Sequence, residues 1–187
     1  MSTRRLFVAI PLSEDIKDDL LSTIPFEVRN KDLRWTEREN LHFTLSFLGD
    51  RAEEDLDGIC AKIEEIASNR FPFRMVFKGF KTMYKNRKPS MVWAVFRESP
   101  SYVEFAAEFS EVLDGDKRNE PIAHVTLGRV KSNAGKFVRT PKMHHITPFE
   151  MDIEHVELWE SKFDENGISY SLIKEFRMKP EPEEDLD

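Results

Sequence analysis

Apolar residues recur along this chain in two rhythms. Short runs rich in Phe, Val and Ile, bounded by Gly, Pro, Asn or Asp, predict strands over 5–12, 41–48, 73–80, 90–96, 122–130, 149–160 and 169–177. A Lys-rich loop joins the third and fourth of these. Helical spacing marks two longer segments. Over 52–68, Leu56, Ile59, Cys60, Ile63, Ile66 and Ala67 share one stripe, with acids on the other face. Over 100–114, Val103, Ala106, Phe109, Val112 and Leu113 do the same, and Gly115 is a natural stop. A shorter helix is expected over 13–23, opened by Ser13 as its cap, with Glu14 and Asp15 in the first turn. Residues 133–140 offer one more turn or two. Each long helix follows one group of strands and precedes another. That order predicts an α+β domain with helices packed outside a mostly antiparallel sheet.

The 187 residues suffice for one domain, or for two small halves sharing a core. A hydrophobic content of 40%, with 15 Phe, argues against disorder of the whole chain. The single cysteine, Cys60, excludes an internal disulfide and a thiolate metal cluster. It sits on an apolar helical stripe and reads as buried and inert. Arg4 and Arg5 precede an apolar run too short for a signal peptide or a membrane span. A soluble, cytoplasmic protein without membrane contact, acting as a monomer, is expected. The net charge of −7 argues against a nonspecific DNA binder. Most of that charge sits in a tail over 179–187, where Pro180 and Pro182 accompany Glu181, Glu183, Glu184, Asp185 and Asp187. The tail is expected to be solvated and disordered, outside a folded unit over 1–178. The body can then carry a local basic patch. With only 7 Gly, the chain shows no phosphate-binding glycine loop and no dinucleotide fingerprint.

One pattern occurs twice: His42-Phe43-Thr44-Leu45 and His124-Val125-Thr126-Leu127. Each lies in a predicted strand. Strict alternation turns His42, Thr44 and Ser46 to one face and Phe43, Leu45 and Phe47 to the other. His124 and Thr126 likewise oppose Val125 and Leu127. A single such histidine is more often structural than catalytic. The duplication in one structural context favours chemistry. A neutral imidazole takes a proton from water, and an imidazolium gives one to a leaving oxygen. Phosphodiester hydrolysis needs both, one on each side of phosphorus. The Thr44 and Thr126 hydroxyls can donate to phosphate oxygens. Arg129 can add a cationic fork, but alternation would turn it to the core side unless a bulge near Gly128 re-aims it.

At these residues the chain resembles the RNA 2′,3′-cyclic phosphodiesterases of LigT type, within the two-histidine (2H) phosphoesterases. Two H-x-T-x motifs define that family. The segment Arg4-Leu-Phe-Val-Ala-Ile-Pro is similar to its opening strand. Arg34-Trp35, Glu39-Asn40-Leu41 and Phe47-Leu48-Gly49 resemble the surroundings of its first motif. Glu157-Leu-Trp-Glu-Ser161, followed by Tyr170, is similar to its closing hairpin. The resemblance spans about residues 4–177; Gly128 and the acidic tail depart from it. It implies two pseudo-symmetric lobes facing each other across a cleft, with one histidine from each. It also implies hydrolysis of a 2′,3′-cyclic phosphate at an RNA end to a 2′-phosphate, with His42 as proton donor, His124 as proton acceptor and no metal or other cofactor. The alternatives are 2′–5′ RNA ligation by the reverse reaction, a cyclic phosphodiesterase for small nucleotides, and a non-catalytic RNA-binding module.

Other residues are candidates for substrate contact. Lys85, Arg87 and Lys88 can track an RNA backbone while Tyr84 stacks on a base. Trp35 and Phe7 can wall the cleft or fill the core. His144 and His145 are adjacent, which is a poor chelate in a strand. With His155 they complete the histidines, and no H-x-x-x-H spacing supports a zinc site. No cluster of three metal ligands is expected. The two motif histidines are expected to lie close enough for one phosphate to touch both.

Overall fold

The computed structural model describes residues 2–24, 32–116, 121–131, 148–164 and 167–180. In chain order the elements are β1 Thr3–Pro11, α1 Glu14–Ser22, β2 Leu33–Trp35, β3 His42–Ala52, α2 Leu56–Ser68, β4 Phe73–Lys85 and β5 Lys88–Phe96. There follow α3 Pro100–Val112, β6 His124–Val130, β7 Glu150–Ile153, β8 His155–Asp164 and β9 Gly167–Arg177. The strands form one curled sheet in the order β7-β4-β5-β6-β3-β1-β8-β9, and β2 pairs with β6. Every pairing is antiparallel.

Two equivalent halves are visible in that order: β8-β1-β3 on one side and β4-β5-β6 on the other. They meet at a single ladder pair, Phe43 opposite Val125. The remainder of that β6 edge is taken by β2, with Leu33 opposite Val130 and Trp35 opposite Gly128. The Thr36 N–H and hydroxyl extend this pairing to the carbonyls of Leu127 and Thr126, each at 2.8 Å. With β2 occupying the edge, β3 and β6 diverge, and the gap between the halves opens.

The main core lies on the helix side of the sheet. Phe43, Val125, Val8 and Ala94 are buried there with Ile63 of α2 and Phe109 of α3. Burying a Val, Ile or Phe side chain contributes roughly 1.5–3 kcal/mol. The helices form as their local signals require. The Ser13 side chain accepts from the Ile16 N–H and Ser99 accepts from the Tyr102 N–H, with Pro100 in the first turn of α3. A small second cluster of Phe7, Ala9 and Trp159, flanked by Tyr170, occupies the opposite face.

Four sequence expectations change. The segment 149–160 is not one strand. It breaks at Glu154, so that β7 pairs with β4 while β8 pairs with β1. The curl of the sheet brings those distant strands within one residue of each other. The Lys-rich stretch between the third and fourth strands is not a loop. β4 runs to Lys85, β5 starts at Lys88, and only Asn86 and Arg87 turn, both at positive φ. β2 has no counterpart among the predicted strands. The second helix begins at Leu56, because residues up to Ala52 belong to β3. The turn expected over 133–140, the pair His144–His145 and most of the acidic tail lie outside the described residues.

Candidate active site

From the Phe43–Val125 pair, one step along each strand sets Thr44 beside His124 and His42 beside Thr126. Four polar side chains thus surround one buried apolar pair on the face away from the helices. This meets the expectation that the two histidines share one small site.

Both imidazoles are fixed by the same device. His42 Nδ1 lies 2.7 Å from the Asn40 carbonyl, and His124 Nδ1 lies 2.7 Å from the Ile122 carbonyl. A carbonyl can only accept, so Nδ1 carries the hydrogen in each ring and Nε2 is the exchanging nitrogen. The Thr44 hydroxyl sits 3.1 Å from His42 Nε2. The Asn40 carbonyl is itself placed by sequence. The turn Arg38–Asn40 precedes β3, and Arg38 bonds Glu14 and Asp18 of α1.

The two rings sit in different walls. Trp93 stacks on His124 at 3.6 Å and 20°. Phe7 and Trp159 lie 5.1 Å from His42 and Tyr170 lies 5.4 Å from it. The indole of Trp159 donates to the buried carboxylate of Glu157. Burial pushes the His42 pKa down to about 4, against the pull of the Asn40 carbonyl; the charges of His124 and Arg129 push the same way. Burial also lowers His124, again with Arg129 contributing. Both rings therefore feel the positive charge of Arg129.

Two matching bulges explain which residues reach the site. Against β1, Ala9 opposes Thr44 but Val8 opposes Ser46, so Leu45 is the extra residue in β3. Against β5, Trp93 opposes Thr126 but Val92 opposes Gly128, so Leu127 is the extra residue in β6. Each bulge falls three residues after its histidine and reverses the alternation beyond it. Arg129 is thereby exposed on the quartet's face, as the re-aiming argument requires, and donates to Met91 Sδ at 3.1 Å.

In β3 the same reversal overturns the expected faces of Ser46 and Phe47. Ser46 is buried on the helix side, accepting from the Ser110 hydroxyl at 3.1 Å. Phe47 is 58% exposed and lies 6.0 Å from Phe7, on the histidine side. Phe47 and Arg129 are thus equivalent positions of the two halves, five residues after each histidine.

The remaining candidates divide. Phe7 is on the site's face but only 2% exposed, so it backs His42 and offers no open wall. Trp35 packs against the main core, because the bulge at Leu127 turns its partner Gly128 to that side. A Cβ on Gly128 would come within 3.1 Å of the Arg34 carbonyl. Tyr84 is 63% exposed but alternates with Met83 and Lys85, on the hairpin face away from the quartet. Lys85, Arg87 and Lys88 are exposed at the hairpin end.

One grouping contradicts the expectation of no three-ligand cluster. His155, Glu157 and Glu175 bring ligand atoms within 4.8 Å of one another, since Glu157 follows His155 by two residues and faces Glu175 across the β8–β9 ladder. Its carboxylates are already engaged, Glu157 by Trp159 and Glu175 by Arg177. Sequence reasoning gave no site role to Phe47, Trp93 or Arg34. Only Gly128, a residue that suits a bulge, marked either irregularity beforehand.

Comparison with known proteins adds to this geometry. Residues 10–93 match the family described as LigT like Phosphoesterase. An RNA 2′,3′-cyclic phosphodiesterase of Methanocaldococcus jannaschii is 30% identical over 178 residues, covering 92% of this chain and 99% of that protein. One of Aquifex aeolicus is 27% identical over 185 residues, covering 94% and 98%. The crystal structure of TT0787 of Thermus thermophilus superposes with a TM-score of 0.75 at 25% identity, covering 95% of this chain and 100% of the other. The structure of E. coli LigT complexed with 3′-AMP has a TM-score of 0.69 at 22% identity, covering 95% and 99%.

Proposed function

The chain belongs to the LigT-like phosphoesterases, and we propose from that premise that it hydrolyses RNA 2′,3′-cyclic phosphate ends to 2′-phosphomonoesters. The observation that carries this reading is the quartet of two imidazoles and two hydroxyls around the Phe43–Val125 pair. A phosphate seated among these groups meets a proton carrier on each side.

The step is a displacement at phosphorus. Water attacks and the bond to the 3′-oxygen breaks. His124 Nε2 takes the proton of the attacking water. His42 Nε2 gives its proton to the departing 3′-oxygen. Thr44, Thr126 and Arg129 hold the non-bridging oxygens as their charge grows. Burial and the nearby cation keep His124 neutral, as a base must be. The same forces oppose a protonated His42, so the phosphodiester anion itself supplies the charge that raises it. The nucleoside rests against Phe47, the exposed aromatic at the mouth.

The test is incubation with a nucleoside 2′,3′-cyclic phosphate and identification of the product. A 2′-phosphate is expected. A 3′-phosphate would exchange the two histidine roles, and no turnover of any cyclic phosphate would overturn the reading. His42→Ala and His124→Ala should each cost about 10²–10⁴ in rate. The double variant should be little worse than either, since the pair acts as a unit.

A further inference from the structure

The β4–β5 hairpin carries a row of cations that the two-histidine chemistry does not use. In β4, Phe80 packs its ring 5.4 Å from Phe77 and faces the core. Lys81, Met83 and Lys85 therefore face the other way. Lys81 stands directly opposite Trp93, the residue stacked on His124. From β6 to β4 there are two interstrand spacings, so Lys81 starts about 10 Å from Thr126. Lys85 lies about 13 Å further along β4 and stands directly opposite Lys88. In the same manner Arg34 of β2 stands directly opposite Arg129.

Like charges directly opposed across a ladder destabilise it. Elsewhere several cations are neutralised, Arg4 by Glu53, Arg38 by Asp18, Arg70 by Glu108 and Arg74 by Asp152, while Arg5, Lys78, Arg97 and Lys131 are exposed singly, off this row. Among the described residues, Arg34, Lys81, Lys85 and Lys88 have no carboxylate partner. The chain has 35 acidic residues against 28 Lys and Arg, so partners were not scarce. A row of unneutralised cations leading away from the quartet on one face is the complement of a linear polyanion.

We infer that this face of the hairpin is the path of the RNA strand that leads to the reacting end. The inference rests on the activity proposed above. An RNA whose 3′ end is a cyclic phosphate extends only in the 5′ direction. Its first internucleotide phosphate meets Lys81. Phosphates further in the 5′ direction meet Lys85 and Lys88, which lie beyond the reach of the first. The enzyme is thus selective for an oligonucleotide over a mononucleotide, and the selectivity grows with length in two stages.

The experiment compares kcat/KM for a nucleoside, a dinucleotide and a hexanucleotide, each ending in a 2′,3′-cyclic phosphate, across a salt series. For Lys81→Met, the dinucleotide-to-nucleoside and hexanucleotide-to-nucleoside ratios should both fall several-fold, and Lys81→Arg should restore them. For the double variant Lys85→Ser with Lys88→Ser, only the hexanucleotide ratio should fall. The salt slope for the hexanucleotide should become shallower by about 0.7 for each phosphate that no longer meets a lysine. Unchanged ratios would overturn the path. Equal losses on all three substrates would also overturn it, by placing the lysines at the reacting phosphate. Failure of the wild type to turn over the nucleoside substrate would strike the activity instead. Binding of an end-labelled hexanucleotide to the same variants would then still decide the path.

Discussion

His42 is folded into a site that resists its protonation. Its pKa is held at about 4 by burial, with His124 lowered in the same direction. In the unfolded chain a histidine titrates near 6.5. Between those values the unfolded chain binds a proton that the folded one does not. Folding stability is therefore complete above about pH 6.5 and declines as pH falls toward 4. The full decline amounts to a few kcal/mol. Urea midpoints at about pH 7.5 and about pH 5 should separate more for the wild type than for His42→Gln, which has nothing to protonate there. Equal separations would mean that the ring is already charged in the folded protein. The histidines and threonines of the site were legible in the sequence because a four-residue pattern occurs twice. Phe47 and Ser46 were not, because alternation assigned each to the wrong face. Leu45 looks like any strand leucine, and nothing in its identity says that it is the extra residue.

At the level of elements, the bulge in β3 needs a partner on the helix side, and α3 provides it. Ser110 donates to Ser46, the Tyr102 hydroxyl donates to the Thr44 carbonyl, and the Asp116 N–H donates to the Phe47 carbonyl at 3.0 Å. This close approach is allowed because residue 115 has no side chain. A Cβ on Gly115 would collide with the Ser46 hydroxyl and stand 3.2 Å from the Phe47 carbonyl. Gly58, inside α2, has nothing within 4 Å of the same position. Gly115→Ala should therefore destabilise the protein by about 1–3 kcal/mol through overpacking. Gly58→Ala should stabilise it by up to about 1 kcal/mol through helix propensity. Urea unfolding of both variants checks the pair, and similar effects at the two sites would refute the close approach. By sequence alone Gly115 is a simple helix stop. The helix ends at Val112, and Asp114 takes the positive φ of 50° instead. The strands and helices were legible from periodicity and caps. β2 was too short to show a period, and the hairpin was hidden by its lysines, which weaken a strand signal.

For the molecule as a whole, periodicity says which segments are strands but not how far the sheet curls. The partner switch at Glu154 depends on that curl, which is a property of all the strands together. The two-halved plan was legible only through the family resemblance that the repeated motif carries, and the order of strands around it follows the same symmetry. The plan carries a mechanical consequence. The halves share one ladder pair at the β3–β6 seam, whereas β8 and β9 are paired from His155–Arg177 to Asp164–Gly167. Few backbone bonds hold the seam, so opening there breaks fewer ladder bonds than opening within either half. In the proposed mechanism, a phosphate held by Thr44 and His42 on β3 and by Thr126, His124 and Arg129 on β6 would bridge that seam. Ligand binding to the folded state alone adds about 2.7 kcal/mol of stability at a hundredfold excess over Kd. A nucleoside 2′-phosphate should accordingly raise Tm in the wild type and do so far less in the His42→Ala, His124→Ala double variant. Hydrogen exchange should locate the gain. Amides of β3 and β6 next to Phe43 and Val125 should slow most, and those of the β8–β9 ladder least. Uniform slowing across the sheet would mean that the two halves already behave as one rigid unit without the phosphate.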